Sequence, residues 1–179
     1  MVESDKRRIT GEGFILRTWK AEDARWLIRN ANDAEVARGL SDRFPHPYRR
    51  EDAWRFLAGE VVDLDGPVFA IEVDGRAVGG IGARPFSAER SGSAEIGYWL
   101  GRRYWGQGLM TRVVAAYLPW LVQTCQLHRV QASVLAGNPA SARVLEKNGF
   151  ALEGVLRSAV RKHDQLHDLR VFGRVETRA

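Results

Sequence analysis

The residues best suited to chemistry are two glycines in a basic stretch, Gly106 and Gly108, which follow one apolar run and precede another. A helix that begins after such a turn has backbone N–H groups without intrahelical acceptors, and these groups favour a phosphate or pyrophosphate. Because glycine has no Cβ, an anion can approach this backbone closely. Arg102, Arg103 and Arg112 would add positive charge beside it. The stretch is a candidate phosphate-binding turn, with a plain glycine turn as the alternative.

Two common nucleotide-binding motifs do not explain this turn. A Walker-type loop ends in Gly-Lys-Ser/Thr, whereas this chain has Gly108-Leu109-Met110. A dinucleotide-binding turn has a third glycine or alanine, where this chain has Thr111, and a carboxylate about twenty residues later, which the region around His128 does not supply. The remaining pattern is Arg/Gln-x-x-Gly-x-Gly/Ala, present as Arg103-Tyr104-Trp105-Gly106-Gln107-Gly108.

A second candidate stretch begins at Asn138. Asparagine is a preferred N-cap residue, Pro139 suits the first helical position, and Gly149 is typical of the position after a helix. These signals predict a helix over 139–148. Ser141 then lies in its first turn, where a serine often does no more than cap the helix.

Histidines and the single cysteine give weaker signals. His163 and His167 lie four residues apart beside two aspartates, a spacing that would suit a metal ion on a helix. This segment has the pattern of a hairpin turn and strand, so we expect no metal site. Cys125 has no second cysteine with which to form a disulfide, and no motif supplies a His/Asp pair to activate it. We therefore expect a small buried side chain there.

A mixed sheet with helices must hold these residues, because extended and helical hydrophobic patterns alternate along the chain. The patterns predict strands over 14–19, 68–73, 77–83, 93–100, 129–134, 151–160 and 166–175, and helices over 22–40, 53–64, 108–124 and 139–148. Two prolines in the loop over 42–48 prevent the first helix from continuing, and Asp74-Gly75 is a strong hairpin signal. Alternation over 93–100 places Ala94, Ile96, Tyr98 and Leu100 on one face and Glu95, Gly97 and Trp99 on the other.

Composition limits the classes of function. The 179 residues include 27 Lys and Arg against 22 Asp and Glu, and 45% are hydrophobic, as in an ordinary soluble globular protein. We expect one domain over residues 1–179 and a cytoplasmic location, because no window approaches the roughly 20 apolar residues of a membrane span. The basic residues are 23 Arg and only 4 Lys, which fits a phosphorylated cofactor, an acidic partner, nucleic acid or a solvated surface. Nucleic acid is the least favoured, since no recognisable binding motif accompanies the charge.

The run over 138–150 and the following Leu152-Glu153-Gly154 closely resemble the C-terminal half of the GNAT superfamily of N-acetyltransferases. With the motifs over 94–100 and 104–108, the chain is most similar to the branch that contains the ribosomal-protein N-terminal acetyltransferases. The specific part of the resemblance spans Ser93 to about Val175, and the N-terminal third resembles the family only in element order. The implied fold is α+β, with a mixed, mostly antiparallel twisted sheet of about seven strands and helices on both faces.

The resemblance implies transfer of an acetyl group from acetyl-coenzyme A to a primary amine, of a protein N-terminus or a small molecule, by direct attack on the thioester. In this family the strand before the glycine turn separates from its neighbour, and the pantetheine lies in the gap. No metal is implied, and relatives are monomers or homodimers. The implied cofactor-binding residues are Tyr98, Trp99, Leu100, Arg103, Gly106, Gln107, Gly108, Leu109, Asn138 and Ser141.

Two residues are implied to be catalytic. An amine attacks only when neutral, so the site needs a proton acceptor, and Glu95 matches a glutamate that relatives use as base or substrate anchor; a solvated or ion-paired carboxylate is the alternative. Ser141 matches a serine proposed to donate a proton to the leaving thiolate. Many relatives have a tyrosine for this role where this chain has Leu145. A catalytically weak acyl-coenzyme A binding or regulatory module is therefore the second hypothesis.

Overall fold

The computed structural model describes residues 7–41 and 43–176, which form one eight-stranded sheet in the order β1-β2-β3-β4-β5-β6-β8-β7. The strands are β1 (Ile9–Gly11), β2 (Phe14–Arg17), β3 (Val68–Val73), β4 (Arg76–Pro85), β5 (Ser93–Leu100), β6 (Arg129–Leu135), β7 (Ala151–Lys162) and β8 (Gln165–Val175). The helices are α1 (Ala24–Ala31), α2 (Ala34–Arg38), α3 (Arg50–Leu57), α4 (Leu109–Cys125) and α5 (Pro139–Lys147). Only β5 and β6 pair in parallel within these ranges. The predicted mixed, mostly antiparallel α+β fold is confirmed, with eight strands rather than about seven, because β1 adds a three-residue edge strand.

The N-terminal helices are shorter than predicted. The helix expected over 22–40 is interrupted, because an Asp33 carboxylate oxygen accepts hydrogen bonds from Glu35 N and Val36 N and so begins a new helix, α2. The helix expected over 53–64 ends at Leu57, and Val61 beyond it is 54% exposed, so it has no core surface to pack against. Asp42, at the start of the predicted loop, and the first six residues of the polar N-terminus lie outside the described residues.

Helices cover both faces of the sheet, as predicted. The larger core packs α4 and α5 against alternate residues of β5, among them Ala94 and Ile96. The smaller core lies on the opposite face, where α1 and α3 contribute Leu27 and Ala53 and β5 contributes Trp99. The alternation predicted for β5 is therefore confirmed. No helix in 7–41 or 43–176 combines the length and apolar character needed to cross a membrane.

A buried arginine fixes the start of α1 to the sheet. Arg17 on β2 donates two hydrogen bonds to Asp23, at 2.7 and 2.8 Å, and a third to Glu72 on β3. Asp23 also accepts a hydrogen bond from the backbone N–H of Lys20 at 2.9 Å. Hydrogen bonds to Asp23 and Glu72 outweigh the effect of burial and hold the pKa of Arg17 above its ordinary value. Arg17 is therefore charged in the folded protein, and its ion pairs link the start of α1 to β2 and β3.

Removing one partner of this ion pair should destabilise the protein strongly. We expect Asp23→Ala to lower the free energy of unfolding by roughly 3 kcal/mol, since it deprives a buried guanidinium of its bidentate partner. Urea unfolding measures the loss. The control is Glu60→Ala, which breaks the exposed Arg55–Glu60 pair and should cost less than about 1 kcal/mol. Equal losses for the two variants would contradict a structural role for the buried pair.

Candidate active site

The parallel strands β5 and β6 pair only where they begin. Ser93–Glu95 pairs with Arg129–Gln131, and among the described residues no later pair joins these strands. Each strand continues beside its other neighbour instead, β5 along β4 and β6 along β8. A slot therefore opens between residues 96–100 of β5 and residues 132–135 of β6. A Cβ placed on Gly97, on the face that carries Glu95, would meet no described atom within 4 Å, so this face of β5 is open beside the slot.

A tyrosine and a serine meet on one face of the slot. The Tyr98 hydroxyl lies 3.0 Å from Ser141 Oγ and 3.2 Å from the Ser141 carbonyl oxygen. Asn138 caps α5 by accepting a hydrogen bond from Ser141 N at 3.1 Å, so the predicted cap fixes the serine at the helix start. Burial raises the pKa of Tyr98 to about 12, and the hydrogen bond to Ser141 opposes this only in part. Tyr98 is therefore a neutral hydrogen-bond donor at any ordinary pH.

Glu95 lies on the opposite face, at the closed end of the slot. Its Oε1 accepts a hydrogen bond from Ser133 Oγ on β6 at 2.7 Å, and its Oε2 accepts one from Arg84 Nη2 on β4 at 2.9 Å. The ion-paired carboxylate that the sequence left as an alternative is thus observed. The Arg84 side chain is 72% exposed and that of Glu95 is 23% exposed, so the carboxylate remains accessible to water and to a substrate.

The glycine turn lies beyond the end of β5 and leads into α4. Gly106 and Gly108 have φ angles of 74° and 69°, which favour glycine, and Gly108 is the N-cap residue of α4. A Cβ on Gly106 would have no described atom within 4 Å. The turn is held by hydrogen bonds from Trp105 Nε1 to Leu100 O at 2.7 Å and from Arg112 Nη1 to Gln107 O at 3.1 Å. An anion would therefore meet a pre-formed backbone at the helix N-terminus.

The remaining predicted cofactor residues differ in what they can offer. The side chains of Leu100 and Leu109 belong to the larger core, so only their main-chain atoms are available to a ligand. Trp99 packs on the other face from Tyr98, with its ring centroid 5.4 Å from that of Phe44. Arg103 is exposed beside the turn. The structure thus brings together Tyr98 with the start of α5, and separates both from Trp99.

Arg84 and Ser133 were not predicted from the sequence. Neither residue belongs to a recognisable motif. Arg84 is the register partner of Glu95 in the β4–β5 ladder, and Ser133 lies two residues beyond Gln131, the partner of Glu95 on β6. The only possible signal was therefore strand register, and the long connection between β4 and β5 does not fix a register in the way that a two-residue turn does.

Two weaker candidates remain outside this site. Cys125 is only partly buried, whereas a buried side chain was expected; burial raises the pKa of its thiol, which agrees with the expectation that it is not activated. His163 and Asp164 form the turn between β7 and β8, with φ angles of 47° and 60°, so the predicted hairpin turn is confirmed. Over residues 7–41 and 43–176, no three His, Cys, Asp or Glu side chains are grouped closely enough to hold a metal ion.

Comparison with known proteins agrees with this geometry. A family model described as an acetyltransferase (GNAT) domain matches residues 14–151. The ribosomal-protein-serine acetyltransferase of Escherichia coli K12 is 35% identical over 83 residues, 46% of this chain and 46% of that relative, so the chain aligns with less than half of its length. The uncharacterized N-acetyltransferase p20 of Bacillus licheniformis is 28% identical over 165 residues, 90% of this chain and 92% of that protein.

The fold of the described residues is also that of solved acetyltransferases. The structure of RimL, a ribosomal L7/L12 alpha-N-protein acetyltransferase in complex with coenzyme A, superposes with a TM-score of 0.83 at 22% identity. The superposition covers 94% of this chain and 97% of that chain. The family predicted from the motifs is confirmed: the chain belongs to the acetyltransferase (GNAT) family, whose acetyl donor is acetyl-coenzyme A.

Proposed function

We propose that this protein transfers an acetyl group from acetyl-coenzyme A to a primary amine, and that the amine is the N-terminus of a protein. The observation that carries the proposal is the slot between β5 and β6, which ends at the glycine turn. Ligands of α/β sheets bind at the carboxyl ends of parallel strands, and here the two parallel strands part before those ends. An extended thioester arm would lie in this opening.

The residues around the slot suit the chemistry of this donor. The N-terminus of α4 and the open backbone at Gly106 would hold the pyrophosphate, with Arg103 exposed beside them. The Tyr98 side chain and the main chain of Leu100 would contact the pantetheine arm in the slot. Asn138 at the start of α5 would face the reactive end.

The two catalytic roles then fall on opposite faces of the slot. Glu95, directly or through a water molecule, accepts the proton that the attacking amine loses. The Ser141 hydroxyl donates a hydrogen bond to the departing sulfur. The new C–N bond uses the nitrogen electron pair, and the pair of the broken C–S bond stays on the sulfur. Ion pairing with Arg84 holds the Glu95 carboxylate at the closed end of the slot, on the face from which the acceptor arrives.

A protein N-terminus is favoured over a small amine by the named relatives. One aligned relative is a ribosomal-protein-serine acetyltransferase, and another is a ribosomal protein uS5-alanine N-acetyltransferase, 32% identical over 77 residues. Glu95 lies at a partly exposed position on the face away from Ser141, so an extended peptide could approach from solvent without entering the core.

If the cofactor binds at the glycine turn, it should raise the Tm of the protein, and a methyl group added to the turn should remove most of this rise. At about 100 times its Kd, acetyl-coenzyme A should raise the Tm of the wild type by about 5–10 °C. Gly106→Ala should lose most of this shift, because the methyl group enters the space where the pyrophosphate lies. Differential scanning fluorimetry with and without the cofactor measures it.

Gly75→Ala is the matched control. Gly75 has a φ of 73° against 74° for Gly106, and a Cβ at either position would meet no described atom within 4 Å. Both variants therefore carry the same backbone strain, and only the cofactor distinguishes them. An equal thermal shift in the two variants would exclude this turn as the pyrophosphate site.

The role of Glu95 predicts a loss of turnover. Glu95→Gln should lower kcat by about 100-fold with little change in KM, because the amide cannot accept a proton. Thiol release in the presence of a panel of N-terminal peptides and small amines measures the rate and the choice of acceptor. Glu153→Gln, which changes the carboxylate of another Arg–Glu pair, is the control and should retain full activity. A raised KM with unchanged kcat would instead identify Glu95 as a substrate anchor.

The same assay tests the alternative function. A thermal shift with acetyl-coenzyme A but no thiol release with any amine would identify an acyl-coenzyme A binding module. If acetyl-coenzyme A gives neither a thermal shift nor thiol release, both the acetyltransferase and the binding-module functions are wrong.

A further inference from the structure

The contact between Tyr98 and Ser141 joins two elements that the backbone leaves apart. Tyr98 belongs to β5 and Ser141 to the first turn of α5, on either side of the slot. Leu145, one turn further along α5, is fully buried in the core and offers no donor. We propose that Tyr98 is the positioning residue for the hydrogen-bond donor to the leaving group: its hydroxyl directs the Ser141 O–H towards the departing sulfur. This inference rests on the proposed function.

The two hydroxyls can exchange hydrogen bonds without any movement of heavy atoms. Either hydroxyl can be the donor in the 3.0 Å contact between them. When the Tyr98 O–H donates to the Ser141 carbonyl oxygen, 3.2 Å away, the Ser141 O–H is the one that donates to the Tyr98 oxygen. When the sulfur becomes negative, the Ser141 O–H rotates to the sulfur. The Tyr98 O–H then rotates from the carbonyl to Ser141 Oγ. Each bond in such a chain polarises the next, so the serine becomes a stronger donor.

A partly buried tyrosine suits this task for two reasons. Its ring packs against the larger core, so the hydroxyl is held at the edge of the slot. Burial raises the pKa of Tyr98 to about 12, so the phenol keeps its proton throughout the range in which amines become neutral. No proton is lost from either hydroxyl: the amine proton leaves through Glu95 to water, and the thiolate later takes one proton from water.

The inference predicts that the site prefers a thiolate to a thiol, which can be measured without turnover. Binding of coenzyme A and of desulfo-coenzyme A, in which hydrogen replaces the thiol, is compared by calorimetry at about pH 7 and about pH 10, on either side of an ordinary thiol pKa. Tyr98 remains protonated at both. In the wild type, the affinity for coenzyme A relative to that for desulfo-coenzyme A should rise roughly tenfold from the lower to the higher pH. This rise is the gain in affinity.

Tyr98→Phe should reduce this gain to about twofold or less, because the ring remains and only the hydroxyl is lost. In turnover, the same variant should lower kcat roughly tenfold and leave the KM for acetyl-coenzyme A nearly unchanged. Ser141→Ala should abolish the gain in affinity, and the double variant should behave like Ser141→Ala alone, since Tyr98 acts through the serine. Tyr117→Phe is the matched control, because its buried hydroxyl donates to the carbonyl of Pro67; it should lower the Tm without changing the gain or kcat.

Three results would overturn the inference. The first is a gain in affinity for coenzyme A that is the same in Tyr98→Phe as in the wild type. The second is a kcat of the double variant below that of Ser141→Ala alone. The third is a wild type whose ratio of affinities for the two compounds is the same at both pH values. Failure of the proposed function is a separate result, namely no thiol release from the wild type with any acceptor. The binding comparison still decides the role of Tyr98 in that case, since it requires only the product.

Discussion

The site depends on the short junction between β5 and β6. Three residue pairs join these strands, whereas seven pairs join β5 to β4 and seven join β6 to β8. Each strand therefore satisfies its backbone hydrogen bonds mainly on its outer side, and the sheet consists of two parts that separate after Glu95. Core residues of α4 and α5 pack against both parts and hold them together. The opening is thus a consequence of strand pairing, and it does not require a cavity in the core.

Two side-chain bridges cross this opening, one on each face. Tyr98 reaches Ser141 on the core side of α5, and Ser133 reaches Glu95 on the face with the smaller core. Because alternate residues of a strand point to opposite faces, Tyr98 and Glu95 of β5 place the proposed donor to the sulfur, Ser141, and the proposed acceptor of the amine proton, Glu95, on opposite faces of the slot. An acetyl group held between the strands would be reached from both directions.

Local signals in the sequence were sufficient for much of this arrangement. The bounds of β5, the Asp74-Gly75 hairpin and the cap at Asn138 depend on residues that are close in sequence, and all were predicted. The break before α2 and the end of α3 at Leu57 were not, because helical periodicity continues through both points. The Asp33 cap sets the start of α2, and the lack of a core surface beyond Leu57 sets the end of α3. The contacts Arg84–Glu95 and Tyr98–Ser141 join residues 11 and 43 positions apart, and no spacing rule reaches so far.

The arginine excess is divided between two uses once the structure is known. Arg7 donates hydrogen bonds to the carbonyl oxygens of Leu64 and Asp65, and Arg17 forms the buried ion pair with Asp23. These charges hold loops and strands and are not available to a ligand. Arg102 and Arg103, by contrast, form no ion pair with any described carboxylate and lie exposed beside the N-terminus of α4. Positive side chains beside the N-terminus of a helix are repelled by the positive end of its dipole, so a bound polyanion would relieve this repulsion. Two exposed arginines without a carboxylate partner among the described residues therefore lie where a pyrophosphate would bind.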